Sequence, residues 1–165
     1  MLAAWSHPVK IEAVDDNWDS WPKTPGVYII RNVGDVPRVG GIDHTGILYI
    51  GKSLNLRQRI WQFLDARHTA SSFLWTYPTI ARLVIDPSIR TADDVEDSLG
   101  KLTVRYSTPI QKKQVADAEH ALLFTYTNRF GEAPPLNLVL PQRWKDSPTD
   151  KKLINWAEIG ILSRK

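Results

Sequence analysis

The sequence predicts an α+β fold, a small and mostly antiparallel sheet flanked by helices. Three observations carry that expectation. Two short β-type runs, 26–30 and 46–51, precede the first helical period. A third run, 101–107, comes just before the longest helical pattern, 111–130. The composition is 42% hydrophobic and 24% charged, ordinary for a globular chain. Disorder, collagen and coiled coil are poor readings of it. A length of 165 residues fits one domain, with or without a small appendage.

Each element has a local reason. Residues 1–25 are rich in Trp, Asp and Pro and keep no period, so they read as an irregular arm with a short strand at 9–14. Pro22 and Pro25 close the arm, and Gly26-Val-Tyr-Ile-Ile begins the first main strand. Gly34, Pro37, Gly40 and Gly41 mark a turn-rich loop, and 46–51 returns as the second strand. Ser53 or Asn55 can cap the helix that follows. Leu56, Ile60, Phe63 and Leu64 recur at helical spacing and carry that helix to about Arg67.

Residues 80–85 read as a strand. Thr91 and Asp94 have capping-box spacing for a short helix that Gly100 ends. Lys101 to Ser107 is the third main strand, stopped by Pro109. Gly131 sits where the 111–130 helix needs a left-handed cap. Pro134-Pro-Leu-Asn137 is a turn, and residues 138–140 form a short extended piece. Ser147-Pro148 opens a last helix, so 139–165 is a helical extension packed on the same domain.

Composition narrows the chemistry. Cysteine is absent, which excludes disulfides, thiolate zinc sites and thiol catalysis. No apolar run approaches the ~18 residues of a membrane span, so no membrane partner is expected. The first ten residues have no basic stretch followed by an apolar core, so no secretory signal is expected and the location reads as cytoplasmic. Net charge is +3. Residues 49–68 carry Lys52, Arg57, Arg59 and Arg67 against Asp65, which equals the whole excess.

Two places carry candidate chemistry. Lys52 follows a strand-ending glycine where a helix begins. Extended at ~100° per residue, that helix would place Lys52 and Arg59 about 20° apart, able to reach one anion together. The alternative is a solvated basic face. In the 111–130 helix, Glu119 shares a face with Val115, Leu122 and Tyr126. A shielded carboxylate needs a cation, whether an arginine, a lysine or a metal. Tyr28 and Tyr49 lie on the two paired strands and point to one face if the register matches. Taken singly, each tyrosine reads first as core packing, because aromatic residues are common in strands. The acidic run from Asp93 to Asp97 reads as a solvated helix start.

Taken together, Gly26-Val27-Tyr28, Tyr49-Ile50-Gly51-Lys52, Asn55-Leu56, Arg59, Glu119 and Pro135-Leu136-Asn137 resemble the GIY-YIG endonuclease family. The resemblance spans about residues 25–138. It implies a nuclease domain on a three-stranded antiparallel sheet that hydrolyses DNA phosphodiesters with one divalent metal, Mg²⁺ or Mn²⁺. It further implies that Tyr28 and Tyr49 are the motif tyrosines, Arg59 the helix arginine, Glu119 the metal ligand, and Asn137 the asparagine near the domain's end. Lys52 matches the lysine common after Tyr-Ile-Gly.

The residue types suit the task. A guanidinium can fork onto phosphate oxygens. A single carboxylate can hold a Mg²⁺ that keeps several waters. A phenol needs a neighbouring cation, here Lys52, or a metal-bound water to favour its ionised form. Tyr49 is assigned as base and Tyr28 as the positioning hydroxyl. Lys52, Arg57, Arg59 and His44 are the candidate DNA contacts. The enzyme would be a restriction-type, phage-encoded, repair or mobile-element nuclease, acting as monomer or homodimer. The alternative is a DNA-binding module that keeps the fold and has weak or no catalysis.

Three features depart from the family pattern. Tyr28 and Tyr49 stand 21 residues apart, so the hairpin connection carries an insertion at about 31–45. A second insertion occupies about 69–100. Phe63 stands where many members have tyrosine or histidine, and it can neither give nor take a proton. Either a hydroxyl there is dispensable, or activity is reduced, or a histidine that otherwise reads as a surface residue replaces it: His68, or His44, whose loop is expected to border the site.

Overall fold

A computed structural model describes residues 4–64, 77–108 and 111–138. Four antiparallel strands form one sheet in the order β1 (Val9–Lys10), β6 (Thr103–Ser107), β2 (Gly26–Arg31), β5 (Ile47–Ser53). The α+β expectation holds, with one strand more than three. Only Val9 and Lys10 of the expected 9–14 strand pair with β6. The chain then turns through short 3-10 segments at Ile11–Ala13 and Asp15–Ser20. The arm is packed rather than loose: Trp5, Val14 and Trp21 are buried.

The first insertion folds as its own hairpin, β3 (Val36–Arg38) with β4 (Gly41–Asp43). It is fastened to the end of the long helix. Gly40 N donates to Phe130 O at 2.9 Å, and Arg38 pairs with Glu132 at 3.1 Å.

Helix α1 (Leu56–Leu64) starts on the predicted cap. Asn55 Oδ1 accepts from Gln58 N at 3.2 Å, and Ser53 Oγ accepts from Asn55 N at 3.0 Å. Such a cap contributes about 1 kcal/mol. Helix α2 (Ala92–Gly100) has the capping box between Thr91 and Asp94. Helix α3 (Val115–Phe130) ends at Gly131 with φ +76°, as the left-handed cap requires.

Residues 80–85 are not a strand. Residues 77–80 are helical and continue into a wide π-type turn, Ala81–Ile85. Tyr77 and Ala81, four apart, are both fully buried, so the apolar spacing there is helical despite its β-branched residues. The 65–76 part of this region, His68 and the 139–165 extension lie outside the described residues.

The sheet separates two apolar layers. Tyr28, Ile30, Leu48, Leu56, Ile60 and Val104 pack on one side with Val14 and Trp21 of the arm. Val27, Ile29, Ile47 and Ile50 pack on the other against α3. A bulge makes this possible. Ile30 pairs with Tyr49 and Arg31 with Ile47, so Leu48 is an extra residue. Strict alternation would put Ile47 and Ile50 on opposite faces; the bulge restores both to the α3 side. Among the described residues no helix is long and apolar enough to cross a membrane.

Candidate active site around two strand tyrosines

Register decides the first cluster. Tyr28 stands opposite Gly51, and Tyr49 opposite Ile30. Directly opposed residues of an antiparallel pair share a face, so both tyrosines lie on the α1 side. Their ring centroids are 5.9 Å apart. Gly51 lies between them and has no side chain. A Cβ there would meet Tyr28 Cζ and Oη and Tyr49 Cε1, each at 2.6 Å. The glycine is therefore a condition for the tyrosines to meet. The sequence carries that signal only as part of Tyr-Ile-Gly.

Arg59 reaches this cluster from α1. Its Nε donates to Tyr28 Oη at 3.1 Å. Burial works against its charge, but the two phenol oxygens more than offset that, and Arg59 stays a guanidinium. Tyr28 is wholly buried. Burial, and then the neighbouring Tyr49, push its phenol well above the usual tyrosine range, although Arg59 pulls the other way. Tyr28 is thus a neutral hydroxyl at physiological pH. Tyr49 is only half-buried. On the next strand Tyr106 stands opposite Tyr28 and packs on Trp21 at 5.0 Å, a backing that sequence reading missed.

Lys52 belongs to a different face. It is the sixth residue of β5, not part of α1, so the helical arithmetic linking it to Arg59 does not apply. It stands opposite Val27, on the α3 side, and forms an ion pair with Glu119. The shielded carboxylate has the cation it needs, and that cation is a lysine. Glu119's side chain is 13% exposed and Lys52's 41%. The cation beside the tyrosines is Arg59, where Lys52 was expected. The two clusters occupy the two faces of one strand end, because Gly51 and Lys52 are consecutive.

The remaining candidates hold structure. Asn137 Oδ1 accepts from Ile50 N at 2.9 Å, and its Nδ2 donates to Ile50 O at 2.7 Å. Leu136 N donates to Leu48 O at 2.9 Å. Together they brace the outer edge of β5 as a partial extra strand would. Arg57 is a clamp on the arm: its Nε donates to Trp21 O at 2.9 Å, and it pairs with Asp19 at 3.4 Å. His44 pairs with Asp35 at 2.9 Å. It lies three residues ahead of β5, whereas Lys52 is five residues along that strand from Ile47, about 16 Å at ~3.3 Å per residue. The hairpin insertion therefore borders the end of α3 and not the Lys52 end of β5. The side chain of Phe63 lies outside the described residues.

The donor set can be weighed against a divalent ion. Among the described residues no group of three or more His, Asp or Glu is gathered for a metal. Among the described residues of this cluster Glu119 is the carboxylate that would hold a hard ion, and that carboxylate would have to be shared with the Lys52 ammonium.

Comparison with family models, with curated proteins and with solved structures returns no match.

Proposed function

We propose that this protein is a metal-dependent DNA endonuclease that hydrolyses phosphodiester bonds, of the GIY-YIG type. The observation that carries the reading is the meeting of Tyr28, Tyr49 and Arg59 over Gly51, with the Lys52–Glu119 pair at the same strand end. Buried motif tyrosines are ordinary in a core. Two of them sharing one arginine across a side-chain-free gap is a built polar site.

In this reading water attacks phosphorus, the bond to the leaving oxygen breaks, and Tyr49 takes the water's proton. Tyr28, kept neutral by burial, keeps its proton, accepts the hydrogen bond from Arg59 Nε and holds the geometry. Arg59 also offsets charge on the phosphoryl oxygens. Glu119 would hold Mg²⁺ or Mn²⁺, which would supply charge neutralisation for the phosphate and the leaving oxygen. Lys52 steers the phosphate and shares the carboxylate. Asn137 acts through β5, keeping Ile50 and hence Tyr49 in place. A restriction-type, phage-encoded, repair or mobile-element role fits equally.

A second reading has its own support. The Lys52 ammonium already sits on Glu119, and Tyr28 is wholly buried; both suit a DNA-binding module that does not cut. Incubation with supercoiled plasmid and Mg²⁺ or Mn²⁺, beside Glu119→Ala and Arg59→Ala, separates them. Cutting by wild type alone supports the nuclease. DNA binding without cutting under either metal sinks it in favour of the module.

A further inference from the structure

The strand register gathers lysines at one end of the sheet. β2 begins there: Gly26 stands opposite Ser53 at the end of β5, and Val27 opposite Ser107 at the end of β6. Lys23 lies three residues before β2, and Lys52 one residue before Ser53. Lys112 and Lys113 form a 3-10 turn directly ahead of α3. That turn is held at the same end, because Glu119, one turn into α3, pairs with Lys52, whereas Tyr126 near the far end of α3 reaches Ile47 O. All four lysines are exposed. Among the described residues Lys23, Lys112 and Lys113 form no ion pair. Among the described residues, carboxylates near this end include Asp19 and Glu119, paired with Arg57 and Lys52, and Asp117 in the first turn of α3.

The other end has the opposite character. β2 ends at Arg31, about 17 Å away at ~3.3 Å per residue. Beyond it a cleft is lined by Asp35, Asp86, Asp94 and Asp97, with Lys101 the one base among its lining residues. A polyanion is repelled there and attracted at the lysine end.

We infer that Lys23, Lys112 and Lys113 are a phosphate-contacting rim that seats duplex DNA across the lysine end of the sheet, with the acidic cleft facing away. The inference deepens the nuclease reading and rests on it for the choice of DNA. It also replaces Arg57 and His44, both engaged elsewhere, as the sequence-independent contacts outside the catalytic cluster. Lysine is suited to this, a point charge on a flexible stem that tolerates many phosphate positions.

The test is binding of a short fluorescein-labelled duplex by anisotropy, without divalent metal, for wild type, K112A/K113A and K101A. Circular dichroism checks that the exposed substitutions leave the fold intact. Two lost phosphate contacts lower the slope of log affinity against log salt by about 1.8. The affinity gap between wild type and K112A/K113A then closes by about 12-fold between ~50 and ~200 mM salt. K101A, at the acidic end, binds as wild type does. Equal affinity and slope for K112A/K113A, with plasmid cutting by wild type intact, overturn the rim and leave the nuclease. No duplex binding by wild type at any salt, together with no cutting, overturns both. Tighter binding of duplex RNA than of duplex DNA overturns the DNA assignment.

Discussion

Gly51→Ala is the most direct probe of the tyrosine cluster, because two pictures predict opposite signs. Gly51 has no positive φ, so alanine can adopt its backbone conformation. Were the space above it open, alanine would stabilise by about 0.4–1 kcal/mol through the unfolded chain. The space is not open. The new methyl would meet Tyr28 Cζ and Oη and Tyr49 Cε1 at 2.6 Å. Carbon contacts are comfortable near ~3.5–4 Å, so the overlap is about 1 Å. Tyr28 is fully buried and cannot swing out; it must shift against Arg59 and Tyr106. Overpacking of this kind costs about 1–3 kcal/mol. For a chain of this size that lowers Tm by roughly 2–12 °C. A thermal melt followed by circular dichroism reads it, and plasmid cutting falls with it as the tyrosines part. In a Tyr28→Ala background most of the cost disappears, giving a coupling energy of at least about 1 kcal/mol. A Gly51→Ala protein that melts at or above wild type and cuts normally would refute the argument that the tyrosines meet over this glycine.

Three further outcomes follow from contacts elsewhere. Asn137→Ala strips both side-chain bonds from the Ile50 backbone, so a loss of about 1–3 kcal/mol is expected in urea titration; lost cutting with unchanged stability would contradict the bracing role. Arg57→Ala frees the Trp21 carbonyl and the arm, costing about 1.5–3 kcal/mol, while duplex affinity stays within twofold; a large loss of affinity at constant stability would return Arg57 to the DNA surface. Burial first, and then the charge of Asp43, hold the Tyr126 phenol above its ordinary range, so the folded chain keeps a proton that the unfolded chain releases near pH ~10. That stabilisation is intact below pH ~10 and is lost as pH rises toward the folded-state value, at about 1.4 kcal/mol per pH unit. Tyr126→Phe should flatten the alkaline fall of the urea midpoint, and identical slopes for the two proteins would dispose of the claim.

Local signals were legible wherever one residue acts on its own neighbours. Asn55, the Thr91–Asp94 box and Gly131 all act within four residues, and each does what its position in the chain predicts. The 26–30 and 46–51 runs pair as an antiparallel hairpin because their apolar residues and flanking glycines leave few other options. Residues 80–85 misled because β-branched residues favour strands only on average, and burial of Tyr77 and Ala81 outweighs that preference. The partners of charged side chains were less legible. Spacing places Lys52 where a helix begins, within reach of Arg59, yet the strand continues through Ser53 and turns it toward Glu119.

By itself the sequence determined the class of fold and the capped helix ends at Asn55, Thr91 and Gly131, since residue type and short spacing are enough for those. Only the tertiary structure decided how these residues are shared out. One extra residue at Leu48 sets which side chains of β5 face each layer. It thereby brings Tyr49 to Tyr28, leaves Lys52 for Glu119, and lets Asn137 hold the edge between them. A strand's faces alternate with every residue, so a single bulge changes the partners of all that follow. No local pattern states on which residue the bulge will fall.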